Sequence, residues 1–204
     1  MADSLEQLVR DLSDRQQIEA ALLRYCRGVD RRDKALMLSA YHDDAVDDHG
    51  VVVLSAEAFC DWAIDYHQTH NGVTHHAISN LTIDLDGDTA HSECYYTYLG
   101  TVADGPTQLC FGRYVDRHER REGRWAIAAR KCFNESINEL VSVALPEEYR
   151  RLLTSNGPQT LDRNDASYQR PLVVDPQRRP AGRQGSSGGE QAAVEEQRLA
   201  GHEA

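Results

Sequence analysis

The apolar pattern of this chain changes period near Val73, and that change constrains the fold more than any other feature. Before it, Ile18, Leu22, Tyr25 and Val29 stand at i, i+4, i+7 and i+11, one stripe of a helix. After it, Leu81, Ile83 and Leu85 alternate with polar residues, the side-chain period of a strand. The spacing predicts a helix from about Ser13 to Arg32, with Ser13 and Gln16 as its capping box. Asp33 is placed to cap a second short helix holding Leu36, Met37 and Ala40. A third follows Ser55 and carries Phe59, Trp62, Ala63 and Tyr66.

The strand region is punctuated by turn signals. Asp86-Gly87-Asp88 reads as a hairpin turn before a Tyr- and Thr-rich run from Thr89 to Val102. Ala103-Asp104-Gly105-Pro106 precedes a strand over Gln108 to Arg117, and Glu122-Gly123 precedes a last one from Trp125 to Phe133. The run Arg117-His118-Glu119-Arg120-Arg121 reads as a solvated turn. Helices first and an antiparallel meander after is an α+β pattern. The chain has no βαβ alternation, no GxGxxG and no Walker A sequence, which argues against a nucleotide-binding α/β fold. Pattern strength places one domain over 1–155 and a C-terminal extension over 156–204, with a short helix near Pro146 to Leu153. From about 176 the extension is rich in Pro, Arg, Gly, Ser, Glu and Gln, and it reads as disordered.

Composition narrows the partners. A net charge of −11 disfavours nucleic acid and anionic membranes. No apolar run reaches the roughly 18 residues of a membrane span. The acidic start, Met1-Ala2-Asp3-Ser4, does not resemble a signal peptide. Cys26, Cys60, Cys94, Cys110 and Cys132 are isolated and odd in number, without a CxxC pair. They fit small core residues in a reducing, cytoplasmic compartment.

The residues that can carry chemistry are an acid and a histidine. Asp30 ends the helical stripe, where the helix dipole disfavours a carboxylate. A solvated acid within Asp30-Arg31-Arg32-Asp33 is its plain alternative. Histidines gather at His67, His70, His75, His76 and His91. His75 and His76 are neighbours on a strand, point to opposite faces and do not readily chelate one ion, so no metal is expected. Imidazole titrates near neutral pH and suits a general base, with a carboxylate to fix its tautomer and steady its charged form. No GxSxG elbow and no activated cysteine supplies a nucleophile. That combination favours proton abstraction and elimination over covalent catalysis. Alternation leaves the histidines tied: His75 shares parity with Leu81 and Ile83, His76 with Asn80 and Thr82, and a bulge would reset the register.

Tyr25-Cys26-Arg27-Gly28-Val29-Asp30-Arg31-Arg32-Asp33, Tyr41-His42-Asp43-Asp44-Ala45, and Tyr114-Val115-Asp116-Arg117 through Arg121-Glu122-Gly123-Arg124-Trp125 come in an order that resembles the SnoaL-like branch of the nuclear transport factor 2-like superfamily. The resemblance covers about residues 10 to 140. It implies an α+β cone of three helices on a strongly curved antiparallel sheet, with a pocket inside. Within the branch the chain is similar to the hexachlorocyclohexane dehydrochlorinase, bile-acid 7α-dehydratase and scytalone dehydratase groups. In the dehydrochlorinase pattern the carboxylate closing Gly-Val-Asp falls on Asp30. The Thr-x-His histidine falls on His76, which breaks the tie with His75. Arg130 matches an arginine that holds a leaving anion in some relatives. Tyr25 matches, by its spacing to Asp30, a tyrosine that helps a departing oxygen. Where the bile-acid enzyme has an extra acid, this chain has Tyr95-Tyr96-Thr97-Tyr98, which puts transfer of that substrate in doubt. Tyr96, Tyr98 and Trp62 are the candidates for substrate contact.

The expectation is therefore a cofactor-free lyase of dehydratase type acting on a small hydrophobic, polycyclic or aromatic substrate such as a steroid or polyketide. An isomerase or a polyketide cyclase would use the same pair. A non-catalytic small subunit or binding module is the reading from a different class. An outer sheet face with Phe111, Tyr114 and Trp125 near it implies a homotrimer or homodimer.

Overall fold

In the computed structural model, helices α1 (Leu5–Asp30), α2 (Lys34–Leu38) and α3 (Ala56–His70) accompany a six-stranded sheet in an α+β arrangement. The structure describes residues 4–102, 105–141, 143–156 and 160–176. The strands are β1 (Tyr41–Asp48), β2 (Val53–Ser55), β3 (Thr74–Asp86), β4 (Thr89–Gly100), β5 (Thr107–Arg121) and β6 (Arg124–Leu140), in spatial order β2-β1-β6-β5-β4-β3. From β3 to β6 the sheet is an antiparallel meander, as the turn signals predict. It is nevertheless mixed, because β1 runs parallel to β6.

The predicted stripe Ile18, Leu22, Tyr25 and Val29 is buried. Helix α1 starts eight residues earlier than Ser13, at Leu5, because Ser4 Oγ accepts from the Gln7 amide and caps it there. The extra turns were not legible as amphipathic, since Leu5, Leu8, Val9 and Leu12 are exposed. Asp14 anchors the helix to the sheet by accepting 2.8 Å from Trp125 Nε1. Asp33 caps α2 as expected, although α2 ends at Leu38, short of Ala40, and α3 follows Ser55, whose side chain caps it. Glu122 and Gly123 turn the last hairpin with φ of 52° and 77°, a conformation open to glycine at little cost.

Three further expectations need correction. The run Arg117 to Arg121 is not a turn but the end of β5, with His118 wholly buried. Tyr114 and Trp125 are buried inside, so of the three aromatics expected on the outer face only Phe111 is exposed. Strand β6 continues past Phe133 to Leu140. Of the predicted turn at Ala103 to Pro106, Ala103 and Asp104 lie outside the described residues, as does the extension beyond 176.

All five cysteines are free and buried. Among the described residues, no helix is long and apolar enough to cross a membrane. Residues 160–168 group with the residues up to 141 as one compact unit. There Arg163 and Tyr168 both bond Asp33 Oδ2, at 3.1 and 2.9 Å. Residues 143–156 and 169–176 belong to a second unit, with the short helix α4 (Glu147–Leu153) where the sequence placed it.

Gly28 is where α1 and α2 touch backbone to backbone: a β-carbon there would lie 2.6 Å from Met37 Cα. Gly28→Ala should therefore cost about 1–3 kcal/mol of stability by overpacking, read by urea unfolding. Wild-type stability in that variant would contradict the close approach.

Candidate active site

Asp30 is the last residue of α1, beside the helix's unsatisfied carbonyls. The Arg32 guanidinium bridges that end to the start of β3, donating to the Val29 carbonyl at 2.7 Å and to Thr74 Oγ1 at 2.9 Å. Both carboxylate oxygens of Asp30 serve one residue. Oδ2 accepts from the His76 backbone amide at 2.8 Å, and Oδ1 pairs with His76 Nδ1 at 2.7 Å. A carboxylate can only accept, so Nδ1 carries the hydrogen and Nε2 remains for the pocket.

A bulge explains why alternation could not choose this histidine. The β3–β4 register shifts between Ser79 and Thr82, with Asn80 at φ 51°. Before the bulge His76 and Ile78 turn inward; after it Leu81, Ile83 and Leu85 do, while His75 is exposed.

His76 lines a pocket of about 370 Å³. Tyr25, Trp62, Tyr96 and Tyr98, all singled out from the sequence, line it too. Phe59, Trp62 and Tyr66 stack in series along α3, with ring centres 5.9 and 5.6 Å apart. Tyr96 stacks on Tyr114 at 4.6 Å, and its hydroxyl is bonded to Asn134. The Tyr98 ring lies 4.9 Å from His76, and its buried hydroxyl has no hydrogen-bond partner among the described residues. Burial raises the Tyr25 and Tyr98 phenols, so both stay protonated donors. His67, 5.7 Å from the His76 ring, is bonded to Asn71 through Nδ1 at 3.0 Å. Burial pushes its imidazole down to about 4, and the Arg32 guanidinium adds to this.

The structure places Arg130 differently from the other candidates. It is fully buried and is not among the pocket-lining residues. Asp116 holds it bidentately at 2.8 and 2.7 Å, and its guanidinium lies 4.2 Å from the ring centres of both Tyr25 and Tyr114. Its charge is thus spent on Asp116 and screened from the pocket by two aromatic rings.

Sequence reasoning missed His49. It lines the pocket, stacks on Phe59 at 4.5 Å, and pairs through Nδ1 with Asp47 Oδ1 at 2.7 Å. Asp47 is wholly buried in β1 and also accepts from the Tyr41 hydroxyl at 2.6 Å. The available signal was the i, i+2 spacing of Asp47 and His49, which puts both on one side of an extended chain. Among the described residues, no group of three His, Cys, Asp or Glu side chains is arranged to hold a metal ion.

Residues 10–131 match the SnoaL-like domain family, and the chain belongs to that family. No curated protein matches. Among solved structures, the chain resembles a type 2 hexachlorocyclohexane dehydrochlorinase, LinA, at 22% identity and a TM-score of 0.63, covering 68% of this chain and 96% of that one. A LinA-type3 dehydrochlorinase from Novosphingobium barchaimii aligns at 20% identity and a TM-score of 0.62, covering 68% and 97%. A candidate scytalone dehydratase from Novosphingobium aromaticivorans aligns at 16% identity and a TM-score of 0.58, covering 66% and 92%. At these identities the likeness establishes the fold they share.

Burial also pushes His118 down to about 4, so His67 and His118 are neutral in the folded chain. Unfolded, each takes a proton near pH 6.5. Their contribution to stability is complete above that pH and is lost as pH falls toward 4. Thermal melts should show stability dropping over that window, and His67→Gln should flatten the part above pH 5. An unchanged slope there would contradict the burial of His67.

Proposed function

We propose that this chain is a cofactor-free lyase of dehydratase type, acting on an apolar aromatic or polycyclic β-hydroxy carbonyl compound such as a steroid or polyketide. The observation that carries this reading is the double hydrogen bond by which Asp30 fixes His76 at the wall of an aromatic pocket. His76 Nε2 takes a proton from the carbon α, or vinylogous, to the carbonyl. The C–H electron pair becomes the new double bond, and the β-hydroxyl takes back the proton held by the His76 imidazolium and departs as water, which leaves His76 neutral again. Asp30 keeps Nδ1 protonated and stabilises the imidazolium, the orienting role that carboxylates play beside catalytic histidines. Tyr25 is a protonated donor within the pocket and assists the departing oxygen. The unpartnered Tyr98 hydroxyl is suited to a polar group on the substrate rim. Tyr96 and Trp62 supply flat apolar walls.

The aromatic lining, the pocket volume and the lyase chemistry of the dehydrochlorinases that share the fold support the reading. Self-association into a homodimer or homotrimer through the sheet's outer side belongs to it as well. Tyr95, Phe111 and Phe133 are exposed there, and sedimentation tests the point.

A panel of aromatic and polycyclic β-hydroxy ketones, followed by absorbance of the conjugated product, tests the reaction. A positioned base contributes typically ~10²–10⁴-fold, so His76→Gln and Asp30→Asn should each lower turnover by about that factor with unchanged melting behaviour. Normal turnover in either variant would sink the mechanism. Double-bond migration or ring closure with retention of the hydroxyl would make the chain an isomerase or cyclase instead. Stoichiometric zinc or iron required for activity would overturn the cofactor-free claim.

A further inference from the structure

We propose that His49, backed by Asp47, forms an oxyanion subsite in the pocket, which binds the ionised or developing negative oxygen of a phenol, enol or leaving group. This deepens the lyase reading and rests on it for the catalytic consequence, but the binding claim stands on its own geometry.

A row of buried polar groups crosses the sheet. Ser92, Asp116, Arg130 and Asp47 are register partners on β4, β5, β6 and β1, and all are buried. Asp116 takes both bonds of its bidentate pair from Arg130. That leaves Asp47, fully buried, with a phenol on one oxygen and an imidazole on the other. Arg130 reaches the same phenol more weakly, at 3.4 Å to the Tyr41 hydroxyl. The four ionisable groups Asp116, Arg130, Asp47 and His49 balance only when His49 is an imidazolium. Deprotonating it would leave one uncompensated negative charge in the interior, which is costly.

The groups facing His49 agree. Asp47 comes from β1, the apolar Phe59 from α3, Tyr114 from β5 and the Cys132 thiol from β6. Burial alone would push this imidazole down. The hydrogen bond to Asp47, followed by contact with Cys132, outweighs it and raises the group to about 9.

The cation is presented to a ligand. His49 lines the same pocket as His76, and its side chain keeps 17% of its exposure. With Nδ1 committed to Asp47, its further polar neighbour is the Cys132 thiol, a weak acceptor that an anionic oxygen outcompetes. The surrounding wall is aromatic, so a charge-assisted hydrogen bond there is little screened. Base and cation thus face one cavity. His76 receives the proton, while His49 stabilises the oxygen on which negative charge collects.

A purely structural His49, present only to satisfy Asp47, would not change which ionisation state the pocket prefers. 4-Nitrophenol decides this, because its phenol and phenolate absorb differently. The native protein should bind the phenolate at least about tenfold more tightly than the phenol, as a hydrogen bond to a charged group implies. His49→Gln should erase that preference and leave phenol affinity within about twofold, by the same reasoning. His76→Gln should retain the preference, so loss of the lyase reading would not remove this result. Equal binding of the two forms, no binding of nitrophenolate, or a preference that survives His49→Gln and vanishes in His76→Gln would each overturn the proposal. Should His49→Gln fail to fold, the His49 Cε1 proton of the native protein decides. It should report an imidazolium through pH 7 and shift on addition of nitrophenolate. A neutral ring at pH 7, or a resonance that does not move, would overturn it.

Discussion

The pocket depends on a carboxylate held where a helix would rather not have one. Asp30 closes α1, at the negative end of the helix dipole. What makes the position tenable is the pair of N–H groups that His76 offers it, together with the Arg32 guanidinium bonded to the neighbouring Val29 carbonyl. The same contacts join α1 to the first turn-in of β3. The helix end, the strand start and the imidazole orientation are therefore one constraint. A shift in any of them misplaces Nε2.

A second buried pair stands in the same cavity with a different surrounding. Asp30 lies at the helix end beside Arg32, whereas Asp47 lies deep in β1 and opposite Arg130. Arg130 looks like a catalytic cation by position in the sequence, but in the fold it neutralises Asp116 behind Tyr25 and Tyr114. Its effect on the pocket is indirect. By taking Asp116 as its partner, it leaves Asp47 to be balanced by His49. Two histidines in one cavity thereby acquire unlike environments, the condition that separates acid from base roles.

Much of the architecture could be read from the chain, for a physical reason. Where an element faces an apolar core, its inward side chains must be apolar, so the stripe of α1 and the alternation in β3 to β5 were visible. Strand β1 was not, because its inward positions include Asp47 and its outward ones Asp43 and Asp44. A strand that buries an acid carries no hydrophobic period. With β1 unseen, the Asp47–His49 pair had no frame in which its spacing meant anything. The bulge at Asn80 was likewise invisible, since it breaks the parity that alternation relies on. The tie between His75 and His76 was thus inherent to pattern reading; the family resemblance pointed to His76, and the register before the bulge turns that residue inward. The same limit applied to Arg130: its match to an arginine of some relatives suggested chemistry, and only packing showed what covers it.

The central claim is that Asp30 holds His76 with Nδ1 protonated and Nε2 bare toward the pocket. Nitrogen-15 NMR of histidine-labelled protein at neutral pH measures this directly. The expected result is a protonated Nδ1 and an unprotonated Nε2 for His76, lost in Asp30→Asn. A native His76 carrying its hydrogen on Nε2 alone would contradict it, because that nitrogen could not act as the base.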